Sequence, residues 1–274
     1  IFGNWGYLSL FTGEVEEARR HTAESLCYAQ MLKPWHQAIP ISVLGIVAYQ
    51  QGNFQEAYQQ LADSLNIWRP VGDPRGLVFT MIYLGMTTLA MKDYAMVKSI
   101  LTESNQIAAA NMDRWAQAFG LDLLGMAALA QGQNDEALAH FKPSVALYNE
   151  IGDQLNGAQA TIHMGQAHAA MGDEEKARRL FLEVNANARN NKWTLLFLNT
   201  LISYVDVQDR LSPEIKLAVA LLSLEHPAIT PYLRERSKAM CDKARKSLSE
   251  EMVEIAENLA REKDLEGWAQ ELMK

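Results

Sequence analysis

Cysteine is nearly absent from this 274-residue chain: Cys27 and Cys241 stand far apart, with no Cys-x-x-Cys pair anywhere. That excludes a disulfide framework, a zinc ribbon and a thioredoxin-like redox pair. Long apolar runs are missing too. None approaches the ~18 residues needed to cross a bilayer, and no signal peptide is visible. Basic clusters are scarce; the one dense group, Arg234 to Lys246, is interrupted by Glu235 and Asp242 in a chain of net charge −8. Neither direct nucleic-acid binding nor docking on an anionic membrane is expected from such a balance. The six histidines make no H-E-x-x-H pair, and His163 and His168, five apart, do not share a helix face. No metal or other cofactor is expected. The acid pairs Glu16-Glu17, Glu174-Glu175 and Glu250-Glu251 fall in first turns of expected helices, where they complement the helix dipole. No Ser-His-Asp or Cys-His arrangement stands out, so the chain is not expected to be an enzyme. Strand-like alternation is absent, as is a G-x-x-x-x-G-K-[ST] phosphate loop.

What is present is a repeat. Gly6, Gly45, Gly85, Gly125 and Gly165 are spaced 39, 40, 40 and 40 residues apart. Seven residues after each stand Gly13, Gly52, Lys92, Gly132 and Gly172. Ala18, Ala57, Val97, Ala137 and Ala177 follow five later, then Thr22, Leu61, Leu101, Phe141 and Phe181 after four more. A glycine inside a helix costs about 1 kcal/mol relative to alanine. Its recurrence implies that two helices cross there and need the space. The second glycine reads as a left-handed cap that ends the helix. Lys92 breaks that pattern, so a strained or reshaped turn is expected in the third repeat. The small residue lets the next helix approach, and the large one fills the remaining gap.

Turn chemistry at Lys33-Pro34, Gly72-Asp73-Pro74, Asn111-Met112-Asp113, Gly152-Asp153 and Asn190-Asn191 separates the hairpins. Inner (A) helices are thereby expected over 35–51, 75–91, 114–131, 154–171 and 193–209. Outer (B) helices are expected over 14–31, 53–70, 93–110, 133–150 and 173–189. A further helix should run from Ser212-Pro213 to Glu225, followed by three tail helices outside the repeat pattern. The fold class is all-α: a solenoid of antiparallel helical hairpins over 1–225, closed by capping helices over 226–274.

Leu44-Gly45, Gly52-Asn53-Phe54, Glu56-Ala57, Leu61 and Ser64 resemble the signature of the tetratricopeptide repeat, as do Leu124-Gly125, Gly132, Glu136-Ala137 and Phe141. The usual period there is about 34 residues, and here it is lengthened. The long period, with the tail from Leu221-Leu222-Ser223-Leu224-Glu225-His226-Pro227 through Ser249-Glu250-Glu251-Met252-Val253 to Asp264-Leu265-Glu266, is similar to the C-terminal sensor arrays of bacterial STAND signal-transduction ATPases. These are related in design to LuxR-type and maltose-activator-like regulators. The resemblance implies a cytoplasmic sensor that binds a protein, peptide or small-molecule effector and acts on an upstream ATPase domain in cis. The opening Ile1-Phe2-Gly3-Asn4-Trp5-Gly6, read as mid-helix, implies a fragment of a longer chain. A stand-alone adaptor that joins proteins is the competing expectation.

Inner helices of such hairpins line a concave groove. Counting from each first glycine, its lining is expected to include Trp35, Ile39, Arg75, Phe79, Ile82, Met86, Trp115, Phe119, Asp122, Met126 and Gln159. Trp35, Arg75 and Trp115 share one repeat position. Aromatic side chains and methionine are favoured anchors at interfaces. The opposing expectation is that a tightly wound superhelix closes over its own groove, or that the tail helices fill it.

Overall fold

Left-handed backbone recurs every 20 residues in this chain: Gly52, Gly72, Lys92, Met112, Gly132, Gly152, Gly172 and Lys192 all have positive φ, between 57° and 82°. Each ends a helix, and the next begins two residues later. The computed structural model describes residues 15–208, 210–227 and 229–273. Among these are fourteen α-helices, one 3-10 turn and no strand. The expected first inner helix, with Gly6 and Gly13, lies outside the described residues.

The helices are α1 (Val15–Ala29), α2 (Ala38–Gln50), α3 (Phe54–Val71), α4 (Pro74–Ala90), α5 (Tyr94–Ala110), α6 (Arg114–Ala130) and α7 (Asn134–Glu150). They continue as α8 (Gln154–Ala170), α9 (Glu174–Asn190), α10 (Thr194–Val207), α11 (Pro213–Glu225), α12 (Pro231–Arg245), α13 (Glu250–Glu262) and α14 (Leu265–Leu272). The expected inner and outer helices are thus present. One start differs: a helix was expected from residue 35, but Pro34–Gln37 forms a 3-10 turn and α2 begins at Ala38. Pro40 has no N–H to give to the preceding turn, so a regular α-helical first turn cannot form there.

Two compact units share the chain, residues 1–151 and 152–274. In the first, α2 packs on α3, α4 on α5 and α6 on α7, and the inner helices also meet, α2 on α4 and α4 on α6. The glycines do what their recurrence implied. A Cβ built on Gly45 would lie 2.7 Å from Leu61 Cγ, one on Gly85 2.6 Å from Leu101 Cδ2, and one on Gly125 2.4 Å from Phe141 Cε1. In the second unit, one on Gly165 would lie 2.7 Å from Phe181 Cε1. Each of those large side chains is fully buried. A hydroxyl seam runs beside them. Ser64 Oγ donates to the Ala38 carbonyl and Ser144 Oγ to the Ala118 carbonyl, both at 2.8 Å. These bonds satisfy buried hydroxyls by using second lone pairs of helix carbonyls.

The turn at Lys92 is strained but not reshaped. Lys92 N–H donates to Leu89 O and Asp93 N–H to Thr88 O, both at 2.9 Å, matching Gly52 to Tyr49 at 3.0 Å and Asn53 to Ala48 at 2.9 Å. That six-to-one closure is the Schellman pattern. Aspartates then start the next helices: Asp93 accepts from Met96 N–H, Asp113 from Ala116 N–H and Asp173 from Lys176 N–H.

In the second unit α8 packs on α9 and α10, and α10 on α11. The tail is part of the same body. Helices α12, α13 and α14 all pack on α11. Trp268 of α14 is buried and Tyr204 Oη donates to the Leu272 carbonyl at 2.8 Å.

Replacing Lys92 with glycine keeps the turn and removes the left-handed strain, so urea denaturation should show a gain of about 0.5–1 kcal/mol. Gly125→Ala should instead cost about 1–3 kcal/mol by overpacking against immobile Phe141, outweighing its better helix propensity.

Candidate partner-binding groove

Within the first unit the inner helices present a face of aromatic and sulfur-bearing side chains. Trp35 and Trp115 are 40% and 43% exposed, and Ile39 is 48% exposed. Phe79, Met86, Phe119 and Met126 are half-buried, resting on the core beneath, while Arg75 is exposed. The rings are held by close neighbours in sequence, two of the pairs one turn apart and the third adjacent. Trp115 stacks on Phe119 with centroids 5.1 Å apart, Phe79 meets Tyr83 edge-on at 5.0 Å, and Trp35 stacks on His36 at 3.7 Å. Rigid aromatic anchors of this kind lose little entropy on meeting a partner.

Two expected lining residues sit deeper. Ile82 is 3% exposed and Asp122 9%. Ile82 packs among Val78, Val97, Leu101 and Leu123, so it supports the groove rather than offering contact surface. The reason is the packing of α4 on α6, which buries Ile82 with Val78 of its own helix and Leu123 of α6.

Charge divides the two layers. Helices α2, α4 and α6 hold only Arg75, Arg114 and Asp122 as charged residues. The outer side carries ion pairs that step from one hairpin to the next: Arg69 with Glu103 through two bonds of 2.7 and 2.9 Å, and Lys98 with Glu136 at 2.8 Å. Bonds from Arg69 hold the Glu103 carboxyl below its ordinary range.

The second unit differs. Gln159, the expected lining residue there, is half-buried and tied into a polar network. Its amide lies 2.9 Å from the His163 imidazole, and Asn199 Nδ2 donates to its Oε1 at 3.2 Å. Gln166 Nε2 donates to Ser203 Oγ at 2.9 Å. Arg236, from tail helix α12, reaches into the same face. It donates to Ser203 Oγ at 2.8 Å and Asn199 Oδ1 at 3.5 Å, and pairs with Asp206 at 3.3 Å. Asn199 and Asp206 occupy the register that supplies groove residues in earlier hairpins, so on α10 the tail fills what is open on α4 and α6. Asn199 was within reach of the 40-residue count from Gln159; Arg236, outside the repeat, left no such signal.

An open cleft of about 1010 Å³ lies between the end of α9, α10, α11 and the start of α14, lined by Trp193, Phe197, Leu222 and His226 among others. Arg189 and Glu266 pair at its rim. Burial pushes the Cys241 thiol up, away from the reactive thiolate. Among the described residues no group of three or more His, Cys, Asp or Glu is placed to hold a metal ion. No helix of the described residues is long and apolar enough to cross a membrane.

The family model of the tetratricopeptide repeat matches residues 116–190. No curated protein matches the sequence. Among solved structures, a signal-transduction ATPase with numerous domains and a tetratricopeptide repeat sensor, from Pyrococcus horikoshii, superposes with a TM-score of 0.67 at 11% identity, over 98% of this chain and 42% of that one. The Rap conjugation gene regulator of plasmid pLS20, in complex with the Phr* peptide, gives 0.65 at 11% identity, over 88% and 73%. BtubC from P. vanneervenii gives 0.59 at 18% identity, over 68% and 78%. Residues 116–190 thus match the tetratricopeptide repeat, and the fold of the chain is that of tetratricopeptide-repeat proteins.

Removing the tail's plug should weaken the second unit. Arg236→Ala removes its bonds to Ser203 and Asn199 and its pair with Asp206, and urea unfolding should show a loss of about 1–2 kcal/mol, with Arg236→Lys restoring only part.

Proposed function

We propose that this chain is the sensor part of a larger STAND-type signal-transduction ATPase and binds its effector through the groove on α2, α4 and α6. The observation that carries the binding surface is the row of exposed and half-exposed aromatic and apolar side chains on three nearly uncharged inner helices. A soluble protein seldom leaves such a surface without a partner. The likeness of the whole chain to a signal-transduction ATPase with a tetratricopeptide repeat sensor supports the finer assignment, and the Rap regulator, similar in fold, is in complex with a peptide. The repeat match itself is equally at home in a free-standing cytoplasmic adaptor. What lies upstream separates the two readings.

In the source gene, the coding region before Ile1 should encode a G-x-x-x-x-G-K-[ST] loop, and the full-length product should hydrolyse ATP. A gene without that loop would leave the adaptor reading. Under both readings, Trp115→Ser and Phe119→Ser should abolish capture of partners recovered with the wild-type chain while circular-dichroism melting keeps both variants folded. Undiminished capture by both would remove the groove from consideration.

A further inference from the structure

Three charged side chains occur on the groove helices, and they are not equivalent. Arg114 turns to the outer layer, where its Nε lies 3.6 Å from Glu150. Asp122 is 9% exposed and belongs to the floor. Arg75 is exposed, and among the described residues no carboxylate lies within ion-pair reach of its guanidinium. At its own repeat position, 40 residues to either side, stand Trp35 and Trp115. One turn further along lie Ile39, Phe79 and Phe119. Arg75 is therefore a lone cation in an otherwise apolar row, on a surface whose neighbouring outer layer pairs Arg69, Lys98 and Arg114 with acids.

We propose, building on the groove reading above, that the occupant is an apolar peptide segment bearing one acidic side chain. Its carboxylate meets the Arg75 guanidinium between the two indoles, and its apolar side chains lie on Ile39, Phe79 and Phe119. Charge complementarity decides this. A wholly apolar occupant would strip water from Arg75 and return no partner, which costs affinity. A basic occupant would meet repulsion at the same point. A carboxylate matches the planar donor fork of arginine, and the drying of the indole-lined rim by the occupant strengthens the pair.

A phage-displayed library of random dodecapeptides, panned on the 274-residue chain, tests this. The enriched sequences should share a single Asp or Glu flanked by apolar residues. The most enriched peptide, synthesised and followed by fluorescence anisotropy, should bind about tenfold more weakly when its acid becomes the amide, and about tenfold more weakly to Arg75→Gln. The two changes together should lose no more than either alone, the signature of a direct pair. Arg75→Gln should melt as the wild type does. Enrichment of peptides without an acid, or additive losses, overturns the acidic anchor while leaving the groove in place. Enrichment no greater than on Trp115→Ser and Phe119→Ser chains overturns the groove reading and this inference together.

Discussion

A large side chain driven into the space left by a glycine closes each hairpin, and the rest of the architecture depends on that intrusion. Where Leu61, Leu101, Phe141 or Phe181 presses on its glycine, the two helices approach more closely than any pair of side chains would allow. The fully buried small residues Ala57, Val97, Ala137 and Ala177 complete the contact from the outer helix. Close approach fixes which stripe of the inner helix is consumed by its own hairpin. A second stripe is consumed by the neighbouring inner helix, and the remainder is left to face outward as the groove. The same approach brings Ser64 and Ser144 within reach of carbonyls on the inner helix, so the polar seam is a product of the apolar one.

The two units use that leftover stripe in opposite ways. In the first it stays uncharged and aromatic. In the second it turns polar, with Gln159, Asn199 and Ser203 bonded to each other or to Arg236 of the tail. A polar face that finds its partners within the chain gains specificity of closure, since a hydrogen bond left unmade there is expensive. An apolar face gains little from being left to water. Ion pairs stepping along the outer helices are mostly exposed and add little stability individually; they keep charge on the side away from the groove.

Much of the fold was legible because one residue type, glycine, marks both the crossing point and the turn. Helix limits read from that register fall within a few residues of those found. Where another residue took the turn, the register became hard to read: Met112 and Lys192 adopt the left-handed conformation without a glycine to announce it, so the 20-residue half-period was hidden. At α2 the start was misplaced because Pro40 acts through a missing donor, which periodicity does not register. The groove positions were legible as a face but not as a depth. Ile82 and Asp122 lie on the right stripe, yet how far the adjacent inner helix covers them depends on tertiary approach. Arg236 is the extreme case, since only the folded tail brings it to Asn199 and Ser203.

The six helices from α4 to α9 are each 17 residues long, separated by three-residue turns centred on a left-handed residue. Equal arms make the hairpin a modular length of chain. Duplicating or deleting the stretch from one left-handed residue to the next but one returns every side chain to its former face. A copy of half that length exchanges inner for outer helices, and any other length rotates the apolar stripe out of register. Gene-level copying can therefore lengthen the groove a hairpin at a time, and each added hairpin brings its own anchoring positions to the row that begins with Trp35, Arg75 and Trp115.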